Sequence, residues 1–447
     1  MNYWETLAYL DELGHELLRA RFGLEKIHRL LAELGDPHTA YPSVIIAGTN
    51  GKGSTAAMVE AILRHAGVRA GLYTSPHLVR VEERIRVGGQ EIAPEELAAL
   101  ATRVREISEA LWRRGEIPSR LTYFEFLTAI GFEYFREKRV EIAVLEVGLG
   151  GRLDATNVVP PFLSLITSID IDHEQYLGST IAAIAGEKAM IIKSGARAVI
   201  ARQLPEAREV LRARCQECGV HPVWAEEEVE ILGCEPDGRF SFLYRAASGR
   251  DLQVHLGLRG RHQIENALVA LRAAEILREM GYSISDEALC DGVASVAWPG
   301  RLEIIGPSSP LLLLDGAHNT EGARAVRAYL EEFGRRPLTL VFGAMRDKRI
   351  AEMAAELFPL ADAILLTRVP DERAAPCEQL LEQTAELCGH LNRPIEAVEP
   401  VPAALDRAWE RTPSDGMICV TGSLYLVGET KRWLARSQRD LFVCDES

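Results

Sequence analysis

Residues Val44–Thr55 read VIIAGTNGKGST, and the fold turns on the kind of loop they make. VIIA is an apolar run of strand length, the turn after it carries three glycines and one lysine, and STAAMVEAILRHAG continues with helical apolar spacing. A strand, a glycine-rich turn and a helix together point backbone N–H groups and a helix N-terminus at an anion. Two standard templates fit it badly. The P-loop pattern G-x-x-x-x-G-K-[ST] wants a glycine where Ile46 stands and a hydroxyl where Gly53 stands. The dinucleotide pattern matches Gly51, Gly53 and Ala56, but the next strand, RAGLYT, runs into Ser75 and Pro76 without a carboxylate for a ribose. What the residues support is a phosphate loop of its own kind, made of Gly48, Thr49, Asn50, Gly51, Lys52, Gly53 and Ser54.

Outward from this loop, short apolar strands alternate with helices as far as about Ile192. VIIA, AGLYT, VEIAVLEV and FLSLITSI are the strands; ELAALATRVREISEALW and FLTAIGFEYFREK are helices between them. That rhythm predicts a parallel sheet covered by helices on both faces, with ligands at the carboxyl ends of the strands. From Ala196 to about Tyr282 the same domain continues, with strand-like FSFLYR and VHLGL before the helix HQIENALVALRAAEILREMG. Trp298, Pro299 and Gly300 read as a hinge, after which LLLLDGA, PLTLVFGA, DAILLTR and GMICVTG restart the rhythm. The expected fold class is α/β, a P-loop-type parallel-sheet ATPase domain over 1–297 plus a smaller Rossmann-like α/β C-terminal domain over 298–447. The amphipathic opening helices, up to Glu33, are given a packing role.

Composition narrows the partners. The 447 residues exceed the size of a single core, and 47% hydrophobic content is globular. No apolar run approaches the ~20 residues that span a bilayer, and the opening MNYWETLAYLDELG is acidic where a signal peptide is basic. A soluble cytoplasmic protein without a membrane partner is expected, and a monomer. A net charge of −15 argues against a nucleic-acid surface. An anionic ligand must then be held by local cations and metal. Of eight cysteines only Cys215 and Cys218 are closely spaced, with no second pair to complete a zinc site, so they read as incidental helix residues.

Three strand ends carry chemistry. VEIAVLEVGLGG delivers Glu146 beside the expected phosphates, where a carboxylate holds Mg²⁺. The breaks in GLGGRLDATN let backbone approach a ligand. TSIDIDHEQYLG brings His173 to the same edge of the sheet, and convergence there favours function over a structural histidine. Lys188, taken alone, reads as a helix lysine salt-bridged to Glu187.

Taken in order, GTNGKGST, TSPHL, LTYFE, EVGLGGRLDATN, DHEQYLG, GEKAMIIKSG, GRHQIENA, PGR, LLDGAHN and VTGSLYLVG resemble the ATP-dependent Mur ligase superfamily. The likeness runs from GLEKIHRLLAELG to Gly428 and is closest to the folylpolyglutamate synthase/dihydrofolate synthase branch. The resemblance implies an ATP-dependent ligase that joins L-glutamate to a pteroate or folate, with Lys52 on the outer phosphates and Ser54 beside them. It implies two Mg²⁺ ions, one held by Ser75 and Glu146 and a second reached by Glu146 and His173. Lys188 falls where the family carries a lysine carbamylated by CO₂, a side chain able to help hold the second ion. Asn266 is implied at the base, Arg301 at the phosphates, and Asp315 and His318 closing over ATP and glutamate, with Ser423 near glutamate. Thr122, Phe124, Glu125, Asp154 and Ala155 match segments lining a pteroate pocket, where a ring can stack on a pterin and a carboxylate can accept from its amino group.

Four positions depart from the family pattern: Met190 and Ser194 near Lys188, Thr320 after DGAHN, and Arg349 where an acid is frequent, which leaves the role of Lys348 open. One rival reading, a ligase acting on a nucleotide-linked sugar peptide, calls for a large UDP-binding domain, against about forty residues ahead of the loop. The other, a non-catalytic nucleotide-binding module, conflicts with Glu146, His173, Lys188, Arg301 and Asp315 standing together.

Overall fold

The strand of VIIA lies inside an eight-stranded sheet, where all five of its residues are buried. The structure is a computed structural model, described here for residues 1–14, 23–306, 309–391 and 393–436. β1 (Ser43–Ala47), β2 (Ala70–Tyr73), β3 (Ile85–Val87), β4 (Gln90–Glu91), β5 (Ile142–Glu146), β6 (Leu163–Ile166), β7 (Arg197–Ala201) and β8 (Val223–Ala225) form it. Their order is β4-β3-β2-β5-β1-β6-β7-β8. The sheet is parallel from β2 to β8. At one edge β3 and β4 run antiparallel, a hairpin turned by Gly88 and Gly89 at φ 58° and 81° that the strand–helix rhythm did not foretell.

Alternate side chains of β1 serve two cores. Ile45 and Ala47 join helices Tyr3–Leu13, Glu25–Glu33, Pro94–Arg113 and Tyr123–Glu137 on one face. Val44 and Ile46 join helices Lys52–His65, His262–Glu279 and Asp286–Ala294 on the other. Burial on both faces explains why the strand is apolar throughout rather than alternating.

FSFLYR and VHLGL do not extend this sheet. They belong to a separate three-stranded antiparallel sheet of β9 (Glu230–Cys234), β10 (Arg239–Arg245) and β11 (Asp251–Arg259). Phe240, Phe242 and Tyr244, with Val254, Leu256 and Leu258, turn one face of it into the second core, a period-2 pattern typical of half-buried strands.

Beyond Trp298 come β12 (Glu303–Ile305), β13 (Leu311–Leu314), β14 (Leu338–Phe342), β15 (Ala363–Leu366), β16 (Ile395–Ala397) and β17 (Met417–Thr421). They order as β12-β13-β17-β14-β15-β16, parallel except for β12. Among the described residues, the buried members of the first two cores end at Val296 and those of the other two begin at Leu302. No described helix is long and apolar enough to cross a membrane.

Candidate active site

Each glycine of the loop answers to a neighbour. A Cβ on Gly48 would stand 1.8 Å from Thr167 Oγ1, and one on Gly53 2.9 Å from Trp298 Nε1. Gly51, at φ 84° ahead of helix Lys52–His65, would collide with Asn266 Oδ1 at 2.2 Å. The loop is thus pinned between β6, the helix carrying Asn266 and the hinge tryptophan. Lys52 Nζ donates to the carbonyls of Gly48 at 3.1 Å and Thr49 at 3.0 Å. Burial lowers its pKa, opposed by the charges of Glu146 and Asp172. Ser54 Oγ, also buried, accepts from Gln263 Nε2 at 3.4 Å.

Glu146 ends β5 in a buried position. One oxygen accepts from the Ser75 backbone N–H at 3.0 Å, and the other lies 3.6 Å from where a Gly53 Cβ would be. Burial raises its pKa against the pull of Lys52. His173 has a left-handed φ of 52°, and its Nδ1 is buried with no hydrogen-bond partner among the described residues. Burial depresses this imidazole to about 3 despite Asp172, so it is neutral with a lone pair to offer. No group of three His, Cys, Asp or Glu converges among the described residues. A carboxylate oxygen and a serine hydroxyl lining one cavity nonetheless fit magnesium that takes its remaining oxygens from phosphates and water, and the neutral imidazole adds no charge that would repel it.

Lys188 is not the partner of Glu187. Glu187 pairs with Arg152 at 2.5 and 3.2 Å, whereas the buried Lys188 Nζ donates to the Gly48 carbonyl at 2.6 Å. Burial, then the like charge of Lys52, brings its pKa down to about 7. Met190, one departure from the family pattern, caps this helix at φ −69°, an ordinary helical value that needs no glycine.

The residues that the sequence resemblance assigns to a pteroate pocket line the same cavity. Thr122 and Glu125 form a capping box at the start of helix Tyr123–Glu137. Glu125 Oε2 accepts from Thr122 N and Lys26 Nζ, both at 2.7 Å, and from Thr122 Oγ1 at 2.9 Å. Its Oε1 is buried and has no hydrogen-bond partner among the described residues. The Phe124 ring rests on Gly148, its Cζ 2.8 Å from where a Cβ would be. Asp154 is committed elsewhere: Oδ2 accepts from Gly148 N at 3.0 Å and Leu149 N at 2.9 Å, and Oδ1 from the Thr156 N–H at 2.9 Å and hydroxyl at 2.5 Å. With its lone pairs used, Asp154 shapes the pocket wall beside the buried Ala155.

From beyond the hinge come Arg301, Asp315, His318 and Ser423. Asp315, at the end of β13, accepts from Leu302 N and Ala317 N, both at 2.8 Å, and burial raises its pKa against Arg301. Arg301 Nη1 donates to the Gly300 carbonyl at 3.0 Å, and His318 Nδ1 to that of Gly316 at 2.9 Å. Ser423 Oγ accepts from Tyr425 N at 3.2 Å. All the site residues read from the sequence line one cavity of about 320 Å³. Sequence reasoning missed Lys26, Gln263, Asp172, Asn319 and Glu321, which line it or hold its walls. The only local clue to Asp172 is its place before His173 in IDHE.

This arrangement has known counterparts. Residues 46–274 match the Mur ligase middle domain and residues 300–424 the Mur ligase, glutamate ligase domain. The dihydrofolate synthase/folylpolyglutamate synthase of Bacillus subtilis is 36% identical over 96% of this chain and 99% of that protein. A probable bifunctional folylpolyglutamate synthase/dihydropteroate synthase of Haloferax volcanii is 37% identical over 98% of this chain, which spans about half, 51%, of that protein's length. The structure of E. coli FolC in complex with DHPP and ADP superposes with a TM-score of 0.82 at 32% identity, covering 96% of this chain and 97% of that one. The chain belongs to the Mur ligase superfamily of ATP-dependent ligases, in its branch of folylpolyglutamate and dihydrofolate synthases.

Proposed function

We propose that this chain uses ATP to turn the carboxylate of a pteroate or folate into an acyl phosphate and joins L-glutamate to it, releasing ADP and phosphate. The observation that carries this is the single cavity in which the phosphate loop, the Glu146–His173–Lys188 group, the Phe124–Glu125 pocket and residues from beyond the hinge all meet. An amide does not form from a free carboxylate at neutral pH without a leaving group. The acceptor carboxylate attacks the terminal phosphorus of ATP and ADP leaves; the glutamate amine then attacks the acyl carbon and phosphate leaves. Lys52 and Arg301 meet the negative charge on the transferring phosphoryl group, and the helix N-terminus behind Gly51 adds backbone N–H donors. Phe124 and the free Glu125 oxygen orient a flat heterocycle with an amino group. His318 and Ser423 place the amino acid opposite the loop.

Ser75 and Glu146 would hold one Mg²⁺, and Glu146, His173 and Lys188 a second, the ions supplying charge neutralisation at the phosphates. Lys188 fits that set once carbamylated: its neutral amine adds to CO₂, a proton leaves, and the ammonium is replaced by a carboxylate. A pKa near 7 keeps a large share of the amine neutral for this step. Residues 1–297 and 298–447 act as two domains whose closure excludes water from the acyl phosphate. A cytoplasmic monomer suits soluble substrates of this kind.

The test is an assay of purified protein with ATP and glutamate, supplied with dihydropteroate in one arm and tetrahydrofolate in the other. Glutamylated product with either acceptor is expected; ADP release that needs neither acceptor nor glutamate would defeat the reading.

A further inference from the structure

We propose that Asp172 is a positioning residue whose carboxylate latches the C-terminal part of the chain over the cleft, by way of Lys348, Asn319 and His318. Asp172 belongs to the loop after β6, immediately before His173, and its Oδ1 accepts from its neighbour's backbone N–H at 2.8 Å. Among the described residues, every contact that this carboxylate receives from a distant element comes from beyond the hinge. Lys348 Nζ reaches Oδ1 at 2.5 Å, Asn319 Nδ2 reaches Oδ2 at 3.1 Å, and His318 Nε2 stands 3.5 Å from Oδ2. One carboxylate therefore ties the loop bearing His173 to the DGAHN loop and to the lysine that follows β14.

The character of this contact marks it as reversible. Both ionic side chains are nearly enclosed, Lys348 at 7% exposure and Asp172 at 6%. A buried ion pair adds little net stability, but separating its partners without water strands two charges, so such a pair favours either full closure or full opening. The crossings around it are polar as well. Asn50 and Asn319 exchange amide hydrogen bonds at 3.2 and 3.1 Å, Glu321 accepts from Asn50 and from Ser168 at 3.3 Å, and Arg349 grips Glu174 at 2.7 and 3.3 Å. Arg349, a departure from the family pattern, thus meets an acid on the opposite side. Polar crossings of this kind part into water without exposing core; the apolar ones lie at Leu78, packed on the core that holds Val427, and at Phe333. On the far side, Phe333 packs edge-on to Phe240, with ring centres 6.1 Å apart, and the Tyr329 hydroxyl donates to the Asp237 carbonyl at 2.8 Å. That side is suited to stay in contact while the polar front opens.

This inference rests on the ligase reading only for its consequence. If closure protects an acyl phosphate, a failed latch lets water compete with glutamate, and ATP is spent without amide formation.

The experiment compares wild type with Lys348→Met, which keeps the length of the chain and removes the charge, and with Lys348→Arg, which keeps the charge. Three quantities are read: ADP affinity, the ratio of ADP released to amide formed, and the radius of gyration from solution scattering with and without ADP. For Lys348→Met we expect ADP affinity to hold within about twofold, a larger radius, and an ADP-to-amide ratio raised about fivefold or more. Lys348→Arg should return the ratio most of the way to that of wild type. An unchanged ratio and radius in Lys348→Met would overturn the latch. Lost turnover with unchanged radius and ratio would also overturn it, by placing Lys348 on substrate instead. If wild type forms no amide at all, the ligase reading fails, while the radius of Lys348→Met still decides whether the latch exists.

Discussion

The two parallel sheets of this molecule present their carboxyl ends to the same cleft, yet the acids they deliver are treated differently. Among the described residues, Glu146, at the end of β5, has one oxygen on the Ser75 N–H and no ionic partner at hydrogen-bond distance, and His173 keeps a buried nitrogen unpaired. Asp315, at the end of β13, has both oxygens filled by backbone N–H groups of its own part of the chain. A buried charge left incomplete is costly, and it persists where a ligand completes it. A buried charge already completed holds backbone in place. The first edge leaves its acid room for a ligand, and the second uses its acid to hold backbone.

The sharpest way to break this contrast is Glu146→Gln. If the free carboxylate oxygen is there for magnesium, the fold should survive and turnover at saturating Mg²⁺ should fall about a hundredfold or more, because an amide oxygen is an uncharged, weaker ligand. Circular dichroism together with steady-state rates checks it; near-normal turnover at low magnesium would take Glu146 out of the site.

Lys188→Ala should cost somewhat less, about 30-fold in kcat, and acetate or formate in solution should restore part of it by occupying the vacated place. The pH dependence carries its own sign. With a pKa of about 7, the amine is increasingly protonated as pH falls below that value, and a protonated amine cannot add to CO₂. Activation of CO₂-stripped enzyme by bicarbonate should therefore be strong at pH 8 and weak at pH 6. Equal activation at both would remove the carbamate.

On the other edge, Asp315→Asn should act mainly on stability. Its amide N–H₂ would face a backbone donor, a mismatch worth about 2 kcal/mol, read as a lowered Tm in calorimetry. A nucleotide KM that rises steeply at unchanged Tm would show that Asp315 touches ligand and would erase the contrast. The smallest effect belongs to Phe124→Leu, which keeps apolar bulk but not the flat face: about a fivefold rise in KM for the pteroate-type acceptor, with KM for ATP unmoved.

Much of this was legible in the chain. The strands of the first sheet are short apolar runs because both their faces are covered, and the glycines at 48, 51 and 53 stand out because neighbouring groups leave no room for a Cβ. The hairpin of β3 and β4 escaped notice because its strands are three and two residues long, too short to show a period. FSFLYR and VHLGL read as more of the same domain and do pack on its second core; that they form a sheet of their own is not legible, because a strand's apolar pattern does not say which sheet it joins. Asp154 reads in the sequence as a ligand-binding acid, but the fold turns its oxygens onto Gly148, Leu149 and Thr156. The pairing of Asp172 with Lys348 spans 176 positions and crosses the hinge. A contact of that kind leaves no trace in local spacing.

Trp298 stands where the hinge meets the phosphate loop, its indole nitrogen against Gly53 and its ring beneath the guanidinium of Arg86, 5.4 Å from the ring centre. An indole is a fluorophore whose emission follows the polarity and charge around it. The molecule therefore carries an optical gauge against its glycine-rich loop. Nucleotide entering the loop, and any rotation about Trp298–Gly300, would each change the field at that one ring, so stopped-flow emission from a variant retaining Trp298 alone among the six tryptophans would time such events without any attached dye.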